Sequence, residues 1–223
     1  RIKVLSLTGN CKRTSGHPGN QLVQSLAVNN NYVFVGFNSG GSIGVYDKNR
    51  LNLLYWNHLR MDTWGMSMNS SGTRLTLANI NLQKISEFSV SGVRLNLLRS
   101  AGSSYSSSNG YFRWPRDTGY DSSGNIYAID ENHRLQKFNS SLAYQAKVGS
   151  LSNTGAFYYP MGMHIDSKDN IYVADYYNYT VRKFNTSLSE TGTFGGFGTT
   201  RLAAAKKVIK KIVSDSNLTS GAN

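Results

Sequence analysis

Residues 115–142, PRDTGYDSSGNIYAIDENHRLQKFNSSL, recur in altered form as residues 160–188, PMGMHIDSKDNIYVADYYNYTVRKFNTSL. Each copy has a proline twelve residues before a tyrosine, at Pro115 and at Pro160. Each then runs through Asn-Ile-Tyr to an aspartate and ends in Lys-Phe-Asn, with one extra residue in the second copy. Self-similarity at such a period is typical of repeat architectures.

The copy that begins at Pro115 divides into four short strands. Residues 126–130 alternate in the manner of a strand, and residues 121–125 before them have the Asp, Ser, Gly and Asn of a tight turn. The pattern predicts strands over 117–120, 126–130, 134–138 and 142–148. Neighbouring strands joined by such short turns run antiparallel.

Weaker copies of this unit lie upstream, over residues 24–46 and 65–88. The aromatic residues that close the four units are spaced by 42, 50 and 46 residues, namely Tyr46, Phe88, Phe138 and Phe184. Four antiparallel strands in about 45 residues, repeated, are typical of propeller blades. We therefore predict an all-β fold, a β-propeller with about four visible four-stranded blades. A parallel α/β fold is excluded because no helical pattern separates the strands.

The third unit resembles an NHL repeat, through Gly124-Asn125-Ile126-Tyr127, Asp130 and Asn132-His133-Arg134-Leu135. The fourth unit resembles it too, but has Tyr179 and Thr180 in place of the His and Arg. The resemblance is good over about 112–198, fair over 20–100 and absent after 200. It implies a propeller, commonly six-bladed, that presents loops from its faces to ligands. Some such propellers bind RNA, and others are lyases or hydrolases with metal-bound histidines at the axis.

The two ends of the chain differ from the repeats. Residues 1–7 resemble the fourth strand of a blade, whereas residues 199–213 have the apolar spacing of an amphipathic helix, with lysines on its other side. We predict a propeller segment over 1–198 and a helix and tail over 199–223. The tail also resembles the first helix of a von Willebrand A-type domain, as in adhesins at type IV pilus tips, although the Asp-X-Ser-X-Ser metal motif is absent.

Four units, one extra strand and an unrelated helix indicate part of a larger polypeptide. Further blades would belong to a longer chain or come from another chain, and a self-closed ring of four blades is the alternative. The sequence begins with Arg1 and shows no signal peptide, which indicates a processed chain or an excerpt.

Composition narrows the class of protein. Hydrophobic residues make up 39% of the 223 residues, which is enough for a buried core, and no apolar run is long enough for a transmembrane helix. The net charge is +12, but the tail holds five basic residues and one acid, so a third of that charge lies there. Cys11 is the single cysteine, which excludes an intrachain disulfide and a cysteine metal cage. Charged residues are only 16%, and the polar surface of Ser, Asn and Tyr favours a secreted or cell-surface protein.

The residues that usually perform catalysis do not form a recognisable set. The four histidines, His17, His58, His133 and His164, share no metal-ligand spacing. His164 lies in a first strand, where it can face the propeller axis, and His133 belongs to the turn of the repeat. Asp121, Asp166 and Asp169 fall in turns, where aspartate is favoured for its bonds to the local backbone. We predict no metal, no cofactor and no catalytic residue.

Aromatic and basic residues cluster in the loops of the last two blades. Arg113, Trp114 and Arg116 precede or follow the first aligned proline, and Lys12 and Arg13 are placed in a similar loop. Four tyrosines lie beside the second proline or in the next turn, namely Tyr158, Tyr159, Tyr176 and Tyr177. Packing between blades does not readily explain these loop tyrosines. Tyrosine, tryptophan and arginine supply contact area for proteins and sugars. We therefore take Arg113, Trp114, Arg116 and the four tyrosines as ligand-binding candidates.

These observations predict a non-catalytic binding or scaffold propeller of an extracellular protein, which recognises a protein or glycan through its blade-connecting loops. Its partner is an external protein or glycan, or other copies or domains of a larger assembly. Basic groups beside aromatic ones also suit single-stranded RNA. The alternatives are therefore an RNA-binding propeller and a propeller lyase or hydrolase with a metal at the axis.

Overall fold

The computed structural model describes residues 2–5, 10–14, 22–37, 41–151 and 157–196. These residues form four four-stranded antiparallel sheets, blades 1 to 4, and one two-stranded hairpin. The hairpin is β1 (Lys3–Leu5) and β2 (Cys11–Thr14). Blade 1 is β3 (Val23–Val28), β4 (Tyr32–Phe37), β5 (Ser42–Asp47) and β6 (Leu53–His58). Blade 2 is β7 (Thr63–Met68), β8 (Arg74–Asn79), β9 (Lys84–Ser91) and β10 (Arg94–Ala101). Blade 3 is β11 (Pro115–Tyr120), β12 (Ile126–Asp130), β13 (Arg134–Phe138) and β14 (Tyr144–Gly149). Blade 4 is β15 (Pro160–Ile165), β16 (Ile171–Asp175), β17 (Thr180–Phe184) and β18 (Glu190–Gly195).

The predicted all-β propeller is confirmed, because each blade is a meander whose consecutive strands pair antiparallel. The predicted middle strands of blade 3 match β12 and β13, whereas the outer two differ at their ends. The first strand begins two residues earlier, at Pro115, which pairs with Asp130 across a bulge. The fourth begins two residues later, because Leu142 has a φ of 63° and belongs to the preceding turn.

The first strand of every blade lies toward the axis. There β3 packs on β7, β7 on β11 and β11 on β15, and the four strands together line a cavity of about 620 Å³. The blades contact one another through apolar faces. Blades 1 and 2 enclose Phe34 and Leu77, and blades 2 and 3 enclose Ile85 and Phe138. This arrangement explains why the middle strands are apolar on both faces.

The N-terminal segment pairs with its neighbour along the chain. Within residues 1–7, which resemble the fourth strand of a blade, Lys3–Leu5 form β1, and β1 pairs antiparallel with β2 in a two-stranded sheet apart from the four blades. Ile2 is buried against Val35 and Phe37, on the face of blade 1 that is turned away from blade 2. An apolar blade face stays in water unless another element covers it, and Ile2 contributes to that cover here.

Blade 4 presents one face to blade 3 and turns the other away. Ala174 on the outward face is exposed, whereas Ile129, at the matching position of blade 3, is fully buried against blade 4. The predicted helix over 199–213 lies outside the described residues, and the domain boundary at 198 stays a prediction. Among the residues that the structure describes, no helix is long and apolar enough to cross a membrane.

Close contact between inner strands yields a first prediction. A Cβ atom added at Gly65 would lie 2.1 Å from Oδ1 and 2.6 Å from Cα of Asp117. We expect Gly65→Ala to lower the free energy of unfolding by about 1–3 kcal/mol, because β7 and β11 must separate. Urea unfolding followed by tryptophan fluorescence measures this. Gly192→Ala is the control, because its Cβ would find its nearest neighbour at 3.8 Å. Equal midpoints for the two variants would contradict the close packing.

Candidate ligand-binding face

The four candidate tyrosines meet on one face of the propeller. Tyr158 and Tyr159 lie in the loop before β15, and Tyr176 and Tyr177 lie in the turn after β16. The ring centroid of Tyr177 lies 4.9 Å from that of Tyr158, 5.2 Å from that of Tyr159 and 4.8 Å from that of Tyr176. Tyr158, Tyr176 and Tyr177 are 48%, 54% and 44% exposed. The structure thus brings together tyrosines from two separate connections, the loop before β15 and the turn after β16.

A histidine completes this group. The His133 ring, from the turn between β12 and β13, lies 5.4 Å from the Tyr158 ring and 4.9 Å from the Tyr159 ring. We call His133, Tyr158, Tyr159, Tyr176 and Tyr177 the tyrosine cluster. The sequence predicts for His133 only a place in the repeat turn, and its contact with the tyrosines is found only in the structure. The backbone of His133 has a φ of 58°, which takes its side chain out of the strand alternation.

The loop of the tyrosine cluster is fixed by a buried carboxylate. Asp175 accepts hydrogen bonds from the backbone N–H of Tyr158 at 2.7 Å and from Nδ2 of Asn178 at 2.8 Å. Burial raises the pKa of Asp175, and these two donors and the charge of Arg182 oppose that rise. The backbone N–H of Tyr177 also donates to the carbonyl of Tyr158 at 3.1 Å. The rings are therefore held in place before any ligand arrives.

A second group lies in the loop between blades 2 and 3. The guanidinium carbon of Arg113 lies 5.3 Å from the ring centroid of Tyr105 and 5.2 Å from that of Trp114. The two rings meet edge to face at 5.6 Å. We call Tyr105, Arg113 and Trp114 the arginine clamp. Tyr105, which is exposed, was not among the sequence candidates, because only the fold places it beside Trp114.

The repeat turn anchors the loop that carries the arginine clamp. Arg134 is 1% exposed, and its guanidinium donates to the carbonyls of Ser107 and Tyr111, both at 2.6 Å, and to the Asp130 carboxylate. Asn132 donates to the carbonyl of Ser106 at 2.9 Å. Asp130 also accepts the backbone N–H of Arg113 at 3.2 Å. The residues that resemble the NHL motif thus position the binding candidates.

The two groups lie close enough to interact electrostatically. Burial lowers the pKa of His133, the positive charge of Arg113 lowers it further, and the charge of Asp175 opposes the shift. Arg113 and His133 are therefore near enough for the positive charge of one to disfavour the protonated form of the other.

Three basic residues are placed differently from the prediction. Arg116 belongs to β11 rather than to a loop, its guanidinium lies 4.0 Å above the Trp64 ring, and it forms an ion pair with Glu131. Lys12 and Arg13 belong to β2 and not to an inter-blade loop. The place of Arg116 in a strand fixes the direction of its side chain, which composition alone does not indicate.

The axial cavity contains His164 and Asp117 among its lining residues. Among the described residues no group of three or more His, Cys, Asp or Glu is placed to hold a metal ion. Asp121 and Asp166 bind the local backbone, as predicted: Asp121 accepts the N–H of Asn125 at 2.8 Å, and Asp166 accepts the N–H of Asn170 at 2.9 Å. Asp169 differs from the prediction, because its carboxylate accepts the N–H of Ser122 in the turn of blade 3 at 2.8 Å. His17 lies outside the described residues.

The carboxyl group of Asp117 yields a pH prediction. Burial raises the pKa of Asp117 to about 7, although its oxygens accept the backbone N–H groups of Met163 and Thr118 at 2.9 and 2.8 Å. Because the folded pKa lies above the unfolded value of 3.8, the folded state holds its proton longer, and stability falls as pH rises from about 4 through 7. We expect the loss to reach at most ~4 kcal/mol. The Asp117→Asn variant should not show this loss of stability. In denaturant unfolding from pH 4 to 8, the free energy of unfolding of the wild type should therefore fall relative to that of the variant. A pH-independent difference would contradict the shift.

Comparison with known proteins supports the fold. The NHL-repeat family profile matches residues 157–184, and no curated protein sequence matches the chain. Virginiamycin B lyase from Staphylococcus aureus is 13% identical, with a TM-score of 0.64 over 89% of this chain and 64% of that one. The β-propeller domain of Myceliophteria thermophila Cps50 (Swd1) is also 13% identical, with a TM-score of 0.64 over 86% of this chain and 64% of that one. A streptogramin B lyase structure is 14% identical, with a TM-score of 0.60 over 81% and 56%.

The chain thus spans less than two thirds of the length of these structures. At such identities the likeness concerns the fold alone, and these structures include lyases and a propeller domain of another kind. The family match falls on blade 4 and the loop before it, which carry the four tyrosines of the tyrosine cluster. The described residues therefore form a β-propeller of four four-stranded blades, and the chain contains an NHL repeat at residues 157–184.

Proposed function

We propose that this chain is a non-catalytic recognition module of an extracellular or cell-surface protein, and that it binds a segment of a protein partner on the face formed by the tyrosine cluster and the arginine clamp. The observation that carries the proposal is the ring-to-ring contact of four tyrosines, three of which are at least 44% exposed. Exposed rings in such contact offer apolar area that water solvates poorly.

The residue types on this face suit a protein partner. Tyrosine, tryptophan and arginine are the residues that most often dominate the energy of protein interfaces. Tyrosine and tryptophan rings have two side-chain torsions, so they lose little entropy on binding. The backbone bonds of Asp175 and Arg134 reduce that cost further, because they hold both loops before binding.

The charge on this face gives less support to the RNA alternative. Nucleic-acid affinity comes largely from several cations that each neutralise a phosphate. Arg116 is paired with Glu131, so of the two arginines only Arg113 is a cation of this face without an acidic partner among the described residues. The lyase alternative has the support of structural neighbours that are lyases, but their identity to this chain is only 13–14%.

Selection from a phage-displayed random peptide library tests the proposal. We expect the wild-type chain to enrich peptides, and Tyr158→Ser/Tyr177→Ser to bind those peptides at least ~10-fold more weakly, since hot-spot residues each contribute about 2 kcal/mol. Leu98→Ser is the matched control, because Leu98 is as exposed as Tyr177 but lies on the outer strand of blade 2.

Unchanged affinity in the double tyrosine variant would place binding elsewhere. Failure to enrich peptides would overturn the proposal. A glycan array and a single-stranded RNA titration at two salt concentrations would then show which alternative class of ligand the chain binds.

A further inference from the structure

Arg113 is the basic residue of the binding face whose charge is not balanced by an acid. Among the described residues, no carboxylate lies within salt-bridge distance of its guanidinium, and its enclosed Nε–H has no hydrogen-bond acceptor. The rings of Tyr105 and Trp114 lie against the guanidinium instead. Ring faces stabilise a cation but accept no strong hydrogen bonds, so the donors of Arg113 keep unused capacity.

The acidic residues that bind the backbone of Arg113 have other side-chain partners. Asp130 accepts the backbone N–H of Arg113, and its side-chain partner is the guanidinium of Arg134. Glu131 pairs with Arg116. Neither carboxylate is therefore left to neutralise the guanidinium of Arg113. Both residues contact only its backbone, because Asp130 accepts the N–H of Arg113 and the N–H of Glu131 donates to its carbonyl.

The guanidinium of Arg113 is also held in one place. The backbone of Arg113 forms two hydrogen bonds to blade 3, since its N–H donates to Asp130 and its carbonyl accepts the N–H of Glu131 at 2.8 Å. The two rings restrict the side chain. An arginine that is already positioned loses little conformational entropy when it binds an anion, and its planar donors match a carboxylate in a bidentate way.

We infer that Arg113 is a subsite for a carboxylate, and that the protein segment bound by this face carries an Asp or Glu side chain beside the residues that contact the tyrosine cluster. This inference rests on the proposed function and specifies the partner as acidic. A guanidinium without an acidic partner matches one carboxylate both in charge and in its paired planar donors.

The experiment extends the peptide selection. The wild type should enrich peptides with an Asp or Glu at a fixed place relative to their apolar residues, and Arg113→Gln should not show this enrichment. One enriched peptide is then synthesised with Glu, with Gln and with phosphoserine at that position. Its affinity is measured by calorimetry for the wild type, Arg113→Lys, Arg113→Gln and the control Lys147→Gln. Lys147 is an exposed cation on the outer strand β14, so the control removes the same charge away from the face.

We expect the wild type and Lys147→Gln to bind the Glu peptide at least ~10-fold more tightly than the Gln peptide, which is the discrimination that a charged hydrogen-bonded pair provides. Arg113→Gln should bind both peptides equally, and Arg113→Lys should lie between, because lysine retains the charge but not the planar donors. Thermal unfolding of each variant, monitored by circular dichroism, verifies that the fold is retained.

The possible failures are distinguishable. Enriched peptides without acids, or equal binding of the Glu and Gln peptides by the wild type, would overturn the carboxylate subsite and leave the proposed function standing. Tighter binding of the phosphoserine peptide would also overturn it. Loss of affinity for both peptides in Tyr158→Ser/Tyr177→Ser, with their ratio unchanged, would support separate roles for the tyrosine cluster and Arg113. No enrichment of any peptide would overturn the proposed function and the subsite together.

Discussion

Replacing Arg134 with methionine should lower the free energy of unfolding by about 3–5 kcal/mol, because it leaves the buried Asp130 carboxylate without its counter-charge. Asp130 is fully buried, and burial alone raises its pKa while Arg134 opposes the rise. The substitution also deprives the carbonyls of Ser107 and Tyr111 of their donors. Guanidinium chloride unfolding at neutral pH measures the change.

A double variant separates the charge from the packing. Asp130→Asn/Arg134→Met removes both charges of the buried pair, and we expect it to be less destabilised than Arg134→Met alone, since no uncompensated charge remains. Arg134→Lys keeps the charge but loses part of the planar donor set, so it should lie between wild type and Arg134→Met. If all three variants unfolded at the wild-type midpoint, the loop of the arginine clamp would not depend on this pair.

Replacing Phe184 with alanine should cost about 3–5 kcal/mol, through lost burial and the cavity that remains. Phe184 is fully buried between blades 3 and 4, with its ring centroid 5.5 Å from that of Phe157 and 5.4 Å from the guanidinium carbon of Arg182. Phe157 directly precedes Tyr158, so the cavity should also loosen the tyrosine cluster. Thermal and denaturant unfolding measure the stability, and amide hydrogen exchange of residues 157–159 reports on the loop.

Graded and distant substitutions provide the controls for Phe184. Phe184→Leu keeps most of the volume and should cost about 1.5 kcal/mol or less. Leu98→Ala, at an exposed position of blade 2, should leave the unfolding midpoint unchanged within ~0.5 kcal/mol. Similar losses for Phe184→Ala and Leu98→Ala would mean that the interface between blades 3 and 4 does not limit stability.

Strand alternation made the middle of each blade predictable. The spans 126–130 and 134–138 agree with the structure, because a period of two with short turns leaves few other arrangements. The ends of the outer strands were not predictable in the same way. Their limits depend on a bulge after Pro115 and on the left-handed conformation of Leu142, which alternation does not encode.

The fourth blade replaces the arginine of the repeat from another position. Thr180 occupies the place of Arg134, and threonine cannot form an ion pair with the aspartate of the repeat. In the structure Arg182 reaches within 3.9 Å of the Asp175 carboxylate. Residues two apart in a strand share a face, so a long side chain two positions later can serve the same carboxylate. Arg182 is present in the sequence, but only the register of the sheet shows which carboxylate its side chain can reach.

The repeated blade can be predicted from the amino-acid sequence, because local alternation and turn residues specify antiparallel strands without reference to distant contacts. Which loops form a common surface depends on how the blades pack. Tyr158 meets Tyr177 and His133, and Arg113 meets Tyr105, because blade packing and buried pairs such as Asp130 with Arg134 bring separate loops to one face. The tertiary structure also paired Arg116 with Glu131 and Trp64, whereas Arg113 has no acidic partner among the described residues. Contacts between blades depend on three-dimensional packing, and a linear pattern does not contain that distance information.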